Sequence, residues 1–180
     1  MSGEAVTDEV RCQKILLVGM MGSGKSTVGA ALSARLGWPY LDNDTMLVRA
    51  TGSTAVEIAA AEGEPGLHAA ESRVLTFMLG MPAPMIAGLP GGIVLNEADR
   101  TRINDADAFV VWLRASAKVL ARRVGTGSGR PLLGDDPEAA LRRLAAERNG
   151  FYEQVADQII DVDALPAGAV AKTIVEQLGS

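Results

Sequence analysis

The chain holds a single cysteine, a single histidine and few aromatic residues, and each scarcity narrows what it can be. One thiol, Cys12, cannot form an internal disulfide, which suits a reducing compartment and leads us to expect a cytoplasmic protein. Aromatic residues make up 4% of the chain, too few for the stacking platforms of a single-strand nucleic-acid binder. No apolar run approaches the ~18 residues that span a membrane. The opening MSGEAVTDEV carries early acidic residues and no apolar core, unlike a secretion signal. Positive charge is in deficit: 17 Lys and Arg against 22 Asp and Glu leave a formal charge of −5, which argues against a nucleic-acid partner. Ten of those 17 basic residues fall between positions 100 and 148, and that segment reads as an arm for handling phosphate.

What is present is a sizeable stock of core residues. Of 180 residues, 48% are hydrophobic, enough for one domain around a single core. The chain is organised around KILLVGMMGSGKSTVG, positions 14 to 29. Ile15-Leu16-Leu17-Val18 is short, apolar and bounded by glycine, as a buried strand would be. Gly19 to Ser26 then satisfies G-x-x-x-x-G-K-S/T, the loop that wraps phosphates, and helix-forming residues follow to Leu36. Glycines let successive backbone N–H groups turn inward at the positive end of the next helix. The backbone of Gly22, Ser23, Gly24, Lys25, Ser26 and Thr27 would cradle a triphosphate. Lys25 would place an ammonium on its outer phosphates, and Ser26 would offer a hydroxyl to Mg²⁺.

Beyond a loose polar tail at 1–13, the remaining 14–180 reads as one domain in which strands and helices alternate. The pattern implies an α/β fold: a five-stranded parallel sheet with helices on both faces. Gly37 caps the first helix. Trp38-Pro39-Tyr40-Leu41 reads as the second strand, delivering Asp42-Asn43-Asp44 at the strand end where such sheets bind ligands. One aspartate could face a metal and the other a second substrate; Asp42 is also suited to cap a helix, and the two readings are compatible. Residues 45–80 look helical, with breaks near Gly52-Ser53, at Gly63 and at Glu64-Pro65-Gly66, and a capping box over Ser53 to Glu57. His68 and Glu71 share a face of the resumed helix. Met85-Ile86-Ala87, Ala108 to Leu113 and Gln158 to Val162 read as strands, Pro137 to Arg148 as an amphipathic helix continuing through Tyr152, and Ala167 to Leu178 as the last helix. Gly91 and Gly92 follow the third strand and permit close approach of a ligand. Gly125 to Asp136, with Arg130 inside a glycine-rich stretch, reads as a lid.

These separated motifs together resemble the shikimate kinase family, of the nucleoside-monophosphate-kinase-like branch of phosphate-loop proteins. The resemblance runs from about Lys14 to Leu178. It rests on GMMGSGKSTVG at 19 to 29, DND at 42 to 44, Thr51-Gly52-Ser53 with Glu57-Ile58, Gly63-Glu64, Glu71, Gly91-Gly92, RPLL at 130 to 133 and ERNGFYEQVAD at 147 to 157. It implies a phosphate-loop kinase fold with a lid loop at about 125–136, substrate-binding helices at about 45–80, ATP and Mg²⁺, and transfer of the γ-phosphoryl to the 3-hydroxyl of shikimate. Lys25 and the loop amides match the triphosphate cradle; Ser26 and Asp42 match the metal side. Asp44 matches the residue at the acceptor hydroxyl, Arg130 the lid arginine, Arg123 a nucleotide-side arginine, and Arg148 the grip on the substrate carboxylate. The resemblance makes Lys25, Asp44 and Arg130 the catalytic candidates, and Asp44, His68, Gly91, Gly92 and Arg148 the acceptor side. It implies a monomer acting on a small hydroxylated acid, with neither nucleic acid nor membrane as partner.

Two departures fall on the acceptor side. His68 stands where the family has an arginine, and imidazole cannot copy a two-pronged guanidinium bond. Loss of a charge-assisted bond of ~1.5–3 kcal/mol would weaken acceptor binding roughly 10- to 150-fold. Pro90 replaces the first of three glycines, fixing φ and removing a donor. A cyclitol or sugar acid is therefore an alternative acceptor, and a nucleotide-binding homologue without turnover a further alternative.

Overall fold

The computed structural model describes residues 12–124 and 136–178. The first strand, β1 (Lys14–Val18), is apolar from Ile15 onward because both its faces are covered there. Leu16 and Val18 point into one core, Ile15 and Leu17 into the other, as the two-residue period of a strand requires. The helix α1 (Lys25–Leu36) packs on the second core and ends at Gly37, whose φ of 70° is the left-handed cap that a Cβ would disfavour.

Next come β2 (Tyr40–Asp42), α2 (Asn43–Thr51) and α3 (Ala55–Leu79). The second strand starts two residues later than the sequence suggests, since Trp38 and Pro39 lie outside it; Trp38 instead uses its carbonyl to accept from Ser33 Oγ at 2.6 Å. The capping box is present: the Thr54 side chain accepts from Glu57 N while Glu57 Oε2 accepts from Thr54 N at 2.7 Å. The expected breaks at Gly63 and at Glu64-Pro65-Gly66 are one kink. Gly63 takes φ 72° and ψ −179°, and Pro65 lies in the first turn of the resumed helix, where a missing N–H costs nothing.

The chain continues through β3 (Met85–Gly88), a short 3-10 turn (Ile93–Leu95), α4 (Glu97–Asn104), β4 (Phe109–Arg114) and α5 (Ala117–Val124), then α6 (Pro137–Val155), β5 (Gln158–Asp161) and α7 (Ala167–Leu178). The turn and α4 had no counterpart in the sequence reading; Asn96 starts α4 by accepting from the Ala98 and Asp99 amides. All described pairings are parallel, in the order β2-β3-β1-β4-β5. Helices α3, α4 and α6 contribute to one core, α1 and α7 to the other, so helices cover both faces. The loops after β1, β2 and β3 leave the sheet at one edge, beside the point where strand order reverses.

Candidate functional site

After β1 the backbone needs three glycines with positive φ to turn inward: Gly19 at 143°, Gly22 at 78° and Gly24 at 96°. Gly22 is also crowded, since a methyl group there would lie 2.8 Å from Val124 Cγ2. The Lys25 ammonium donates to the carbonyls of Gly19 at 2.7 Å and Met20 at 3.0 Å, within its own loop. Arg123 clamps the loop from outside, donating to Gly22 O at 3.4 Å and Val162 O at 2.8 Å.

Opposite the loop, the Asp42 carboxylate does two things. Oδ1 accepts from the Thr45 amide at 3.2 Å, capping α2, while Oδ2 accepts from Ser26 Oγ at 3.1 Å. The helix cap and the bond to the phosphate loop thus meet on one side chain. The turn into helix at Asn43 is what separates the two aspartates, because residues two apart on an extended strand would share a face. Asp44 sits in the first turn of α2 and is exposed. Ser26 and Asp42 are hard oxygen donors set against a loop of inward amides; they fit Mg²⁺, which takes few protein ligands.

A cavity of about 1290 Å³ joins these parts. The phosphate loop, Asp42, Asp44, His68, Gly91, Gly92, Arg123 and Arg148 all line it, so the described candidates from the sequence come together in one place. Arg130 and the rest of the expected lid up to residue 135 lie outside the described residues; Asp136 caps α6 by accepting from the Ala139 amide at 2.9 Å.

The acceptor end is built on α3, α6 and the Gly91-Gly92 turn. Arg148 is 8% exposed, its buried Nε has no hydrogen-bond partner, and Glu147 Oε2 stands 3.9 Å off. Tyr152, fully buried and stacked on Trp112, donates to Gly91 O at 2.6 Å and anchors the turn. Neither glycine has a positive φ, and a methyl group would reach ordinary contact, 3.7 Å from Arg148 Nη1 at Gly91 and 3.4 Å from His68 Nε2 at Gly92, so the bare backbone leaves that width of the cavity open. Buried atoms without partners are rare in folded proteins. Of the four described residues that carry them, Ser23, Asn43 and Arg148 line this cavity, as expected of a wall whose polar groups await a polar ligand.

Two residues here carry weight that the sequence reading gave them no role for. Glu71 is 7% exposed, and burial, then the Asp44 carboxylate, push it up to about 7. Tyr40 donates to Asp42 Oδ2 at 3.4 Å, and burial pushes its phenol up to about 12, so it remains a donor. The spacing of His68 and Glu71 was a signal for the first; Tyr40, two before Asp42 on a strand, was a signal for the second.

The basic segment is a correction. Arg100 donates to Val94 O and Leu95 O and covers the Phe151 ring, Arg102 pairs with Asp99, and Arg114 grips Asp161 with two bonds. Among the described residues of that segment, only Arg123 and Arg148 supply arginine to the cavity wall. A count of charges along a chain carries no direction: Arg100 and Arg114 join neighbouring elements, while Arg102 and Arg142 pair within their own helices.

The model of the family described as shikimate kinase matches residues 21–179. A shikimate kinase of Pseudoalteromonas atlantica is 39% identical over 167 residues, covering 92% of this chain and 96% of its own length. One from Symbiobacterium thermophilum is 40% identical over 168 residues, covering 91% and 95%. The structure of shikimate kinase from Acinetobacter baumannii in complex with shikimate superposes with a TM-score of 0.88 at 32% identity, over 93% of each chain. With the phosphate loop, the aspartate pair and a buried arginine around one cavity, these matches establish that the chain belongs to the shikimate kinase family, ATP-dependent kinases that phosphorylate an alcohol group.

Proposed function

We propose that this protein transfers the γ-phosphoryl group of ATP to the 3-hydroxyl of shikimate, with the residue roles given below. The observation that carries the reading is the one cavity that the phosphate loop, Asp44 and Arg148 all line. Phosphoryl transfer asks for positioning and charge more than for covalent chemistry. The loop amides from Gly22 to Thr27 take the phosphate oxygens, and the buried Ser23 hydroxyl, unpartnered in the protein, gains an acceptor there. The Lys25 ammonium leaves the carbonyls of its own loop for the outer phosphates. Arg123 braces the nucleotide side of the loop.

Ser26 and Asp42 hold Mg²⁺, which supplies charge to offset that of the phosphates. Asp44 accepts the hydrogen bond of the acceptor hydroxyl, orients it and takes its proton as the new P–O bond forms and the bond from the γ-phosphorus to the bridging oxygen breaks, releasing ADP. Arg148 takes the acceptor carboxylate, and Gly91 and Gly92 let the ring approach the backbone. The protein acts as a monomer in the cytoplasm; no helix among the described residues is long and apolar enough to cross a membrane.

His68 favours a second reading, a different hydroxylated acid such as a cyclitol or sugar acid, because an imidazole lines the acceptor end where a forked guanidinium would grip a carboxylate. A coupled ADP-release assay with Mg·ATP decides between them. Turnover with shikimate at a raised KM is expected. Normal ATP binding with no turnover at millimolar shikimate overturns the first reading, and a polyol panel then identifies the acceptor.

A further inference from the structure

Tyr40 and Asp42 are two residues apart on β2 and therefore share a face of the strand. The Tyr40 ring fills a slot between α1 and β3 that two glycines keep open. A methyl group at Gly29 would overlap the ring, and one at Gly88 would overlap the hydroxyl. Phenylalanine would fill the same slot, so packing does not account for the oxygen. That oxygen lies 3.4 Å from Asp42 Oδ2, the carboxylate atom that also accepts from Ser26 Oγ at 3.1 Å. Burying a hydroxyl is unfavourable unless it is bonded, and its bond goes to the carboxylate that faces the phosphate loop.

We propose that Tyr40 is a positioning residue for the divalent cation: its hydroxyl holds the Asp42 carboxylate in the orientation that faces Ser26. The proposal rests on the reading of Ser26 and Asp42 as the residues that hold Mg²⁺. Groups that orient a metal ligand from behind commonly contribute roughly 10- to 100-fold in metal affinity. Asp42 is held at both oxygens, by the Thr45 amide on Oδ1 and by Tyr40 on Oδ2. Without Tyr40 Oη, Oδ1 keeps the Thr45 amide and hydroxyl, and among the described residues Oδ2 keeps only Ser26 Oγ, itself one of the two residues read as holding the cation.

Mn²⁺ serves as the spectroscopic probe, since it takes the same hard oxygen ligands. Free Mn²⁺ is titrated by electron paramagnetic resonance into the ADP-loaded wild type, Tyr40→Phe and Asp42→Asn, and ADP binding in chelator is measured by calorimetry. For Tyr40→Phe the expected result is Mn²⁺ affinity weaker by about 10-fold, with metal-free ADP binding and thermal unfolding unchanged. Asp42→Asn, which keeps a capping oxygen, is expected to weaken Mn²⁺ binding at least as much. Unchanged Mn²⁺ affinity in Tyr40→Phe beside a weakened Asp42→Asn overturns the positioning role alone. Unchanged affinity in Asp42→Asn overturns the cation reading beneath it. Equal losses of Mn²⁺ and metal-free ADP binding in Tyr40→Phe also overturn the proposal, because they mark a disturbed phosphate loop.

Discussion

Glu71 brings a carboxyl group into the cavity wall beside Asp44 and Arg148. Burial raises its pKa first, the Asp44 carboxylate raises it further, Arg148 pulls it back in part and Asp99 adds a small upward push, for a value of about 7 against an ordinary 4.5. The folded protein therefore holds a proton that the unfolded chain has lost between those two values. The stabilisation is complete below about 4.5, declines as pH rises through 7 and is then gone. Its size is on the order of 3 kcal/mol. Glu71→Gln removes the titration, so urea unfolding of the ligand-free variant at a series of pH values should lack this decline and show no loss of stability at pH 8. A decline that persists in the variant would assign it to other groups. Its neighbour gives the second prediction at this scale. His68→Arg restores a fork that can pair with a carboxylate, and the KM for shikimate should fall by roughly 10-fold or more, with kcat and the KM for ATP unchanged. Steady-state kinetics decide it; a shikimate KM that does not fall removes His68 as the cause of weak acceptor binding.

Among elements, α3 matters most to the acceptor. Its two halves meet at Gly63, whose φ and ψ of 72° and −179° belong to a region that glycine alone occupies readily. The second half carries both His68 and Glu71. Gly63→Ala should cost about 1–3 kcal/mol and raise the KM for shikimate while leaving ADP binding in place, checked by thermal unfolding and calorimetry. Equal effects on both ligands would show that the kink supports the whole cavity. The elements that the sequence announced best are those with local chemistry. The phosphate loop and α1, the capping box at Thr54, the kink glycine and the whole of α7 could be read from residue type and spacing. The segment 93–104 could not, because its turn and short helix are held by Asn96 and by Arg100 reaching back to Val94 and Leu95, without a long apolar stripe. The site divided along the same line. Lys25, Ser26, Asp42, Asp44 and Arg148 announced themselves by motif. Glu71 and Tyr40 left only a spacing as a trace, because the burial that raises their pKa values comes from segments distant in the chain. Strand order was equally hidden, since parallel neighbours are joined by crossovers and not by turns.

For the molecule as a whole, the phosphate loop, the aspartate pair and the wall around Arg148 line one cavity beyond the ends of β1, β2 and β3. Any ligand that bridges loop and helices ties them into one cooperative unit. Unfolding in urea should follow a single transition, and Mg·ADP at about 100 times its Kd should add ~2.7 kcal/mol to stability, read as a shift of the urea midpoint. Two separate transitions, with only one moved by Mg·ADP, would mean that the acceptor helices melt independently of the sheet.

The place of β2 in the sheet has one more consequence. It is a three-residue edge strand, aligned only with Ile86, Ala87 and Gly88 of β3, whereas β1 is flanked on both sides. The phosphate loop thus leaves a strand held on both sides, whereas Asp42 and Asp44 follow a strand held on one. A strand with one neighbour can shift with less disturbance to the sheet than one with two, so the aspartates have more freedom to move than the loop they face.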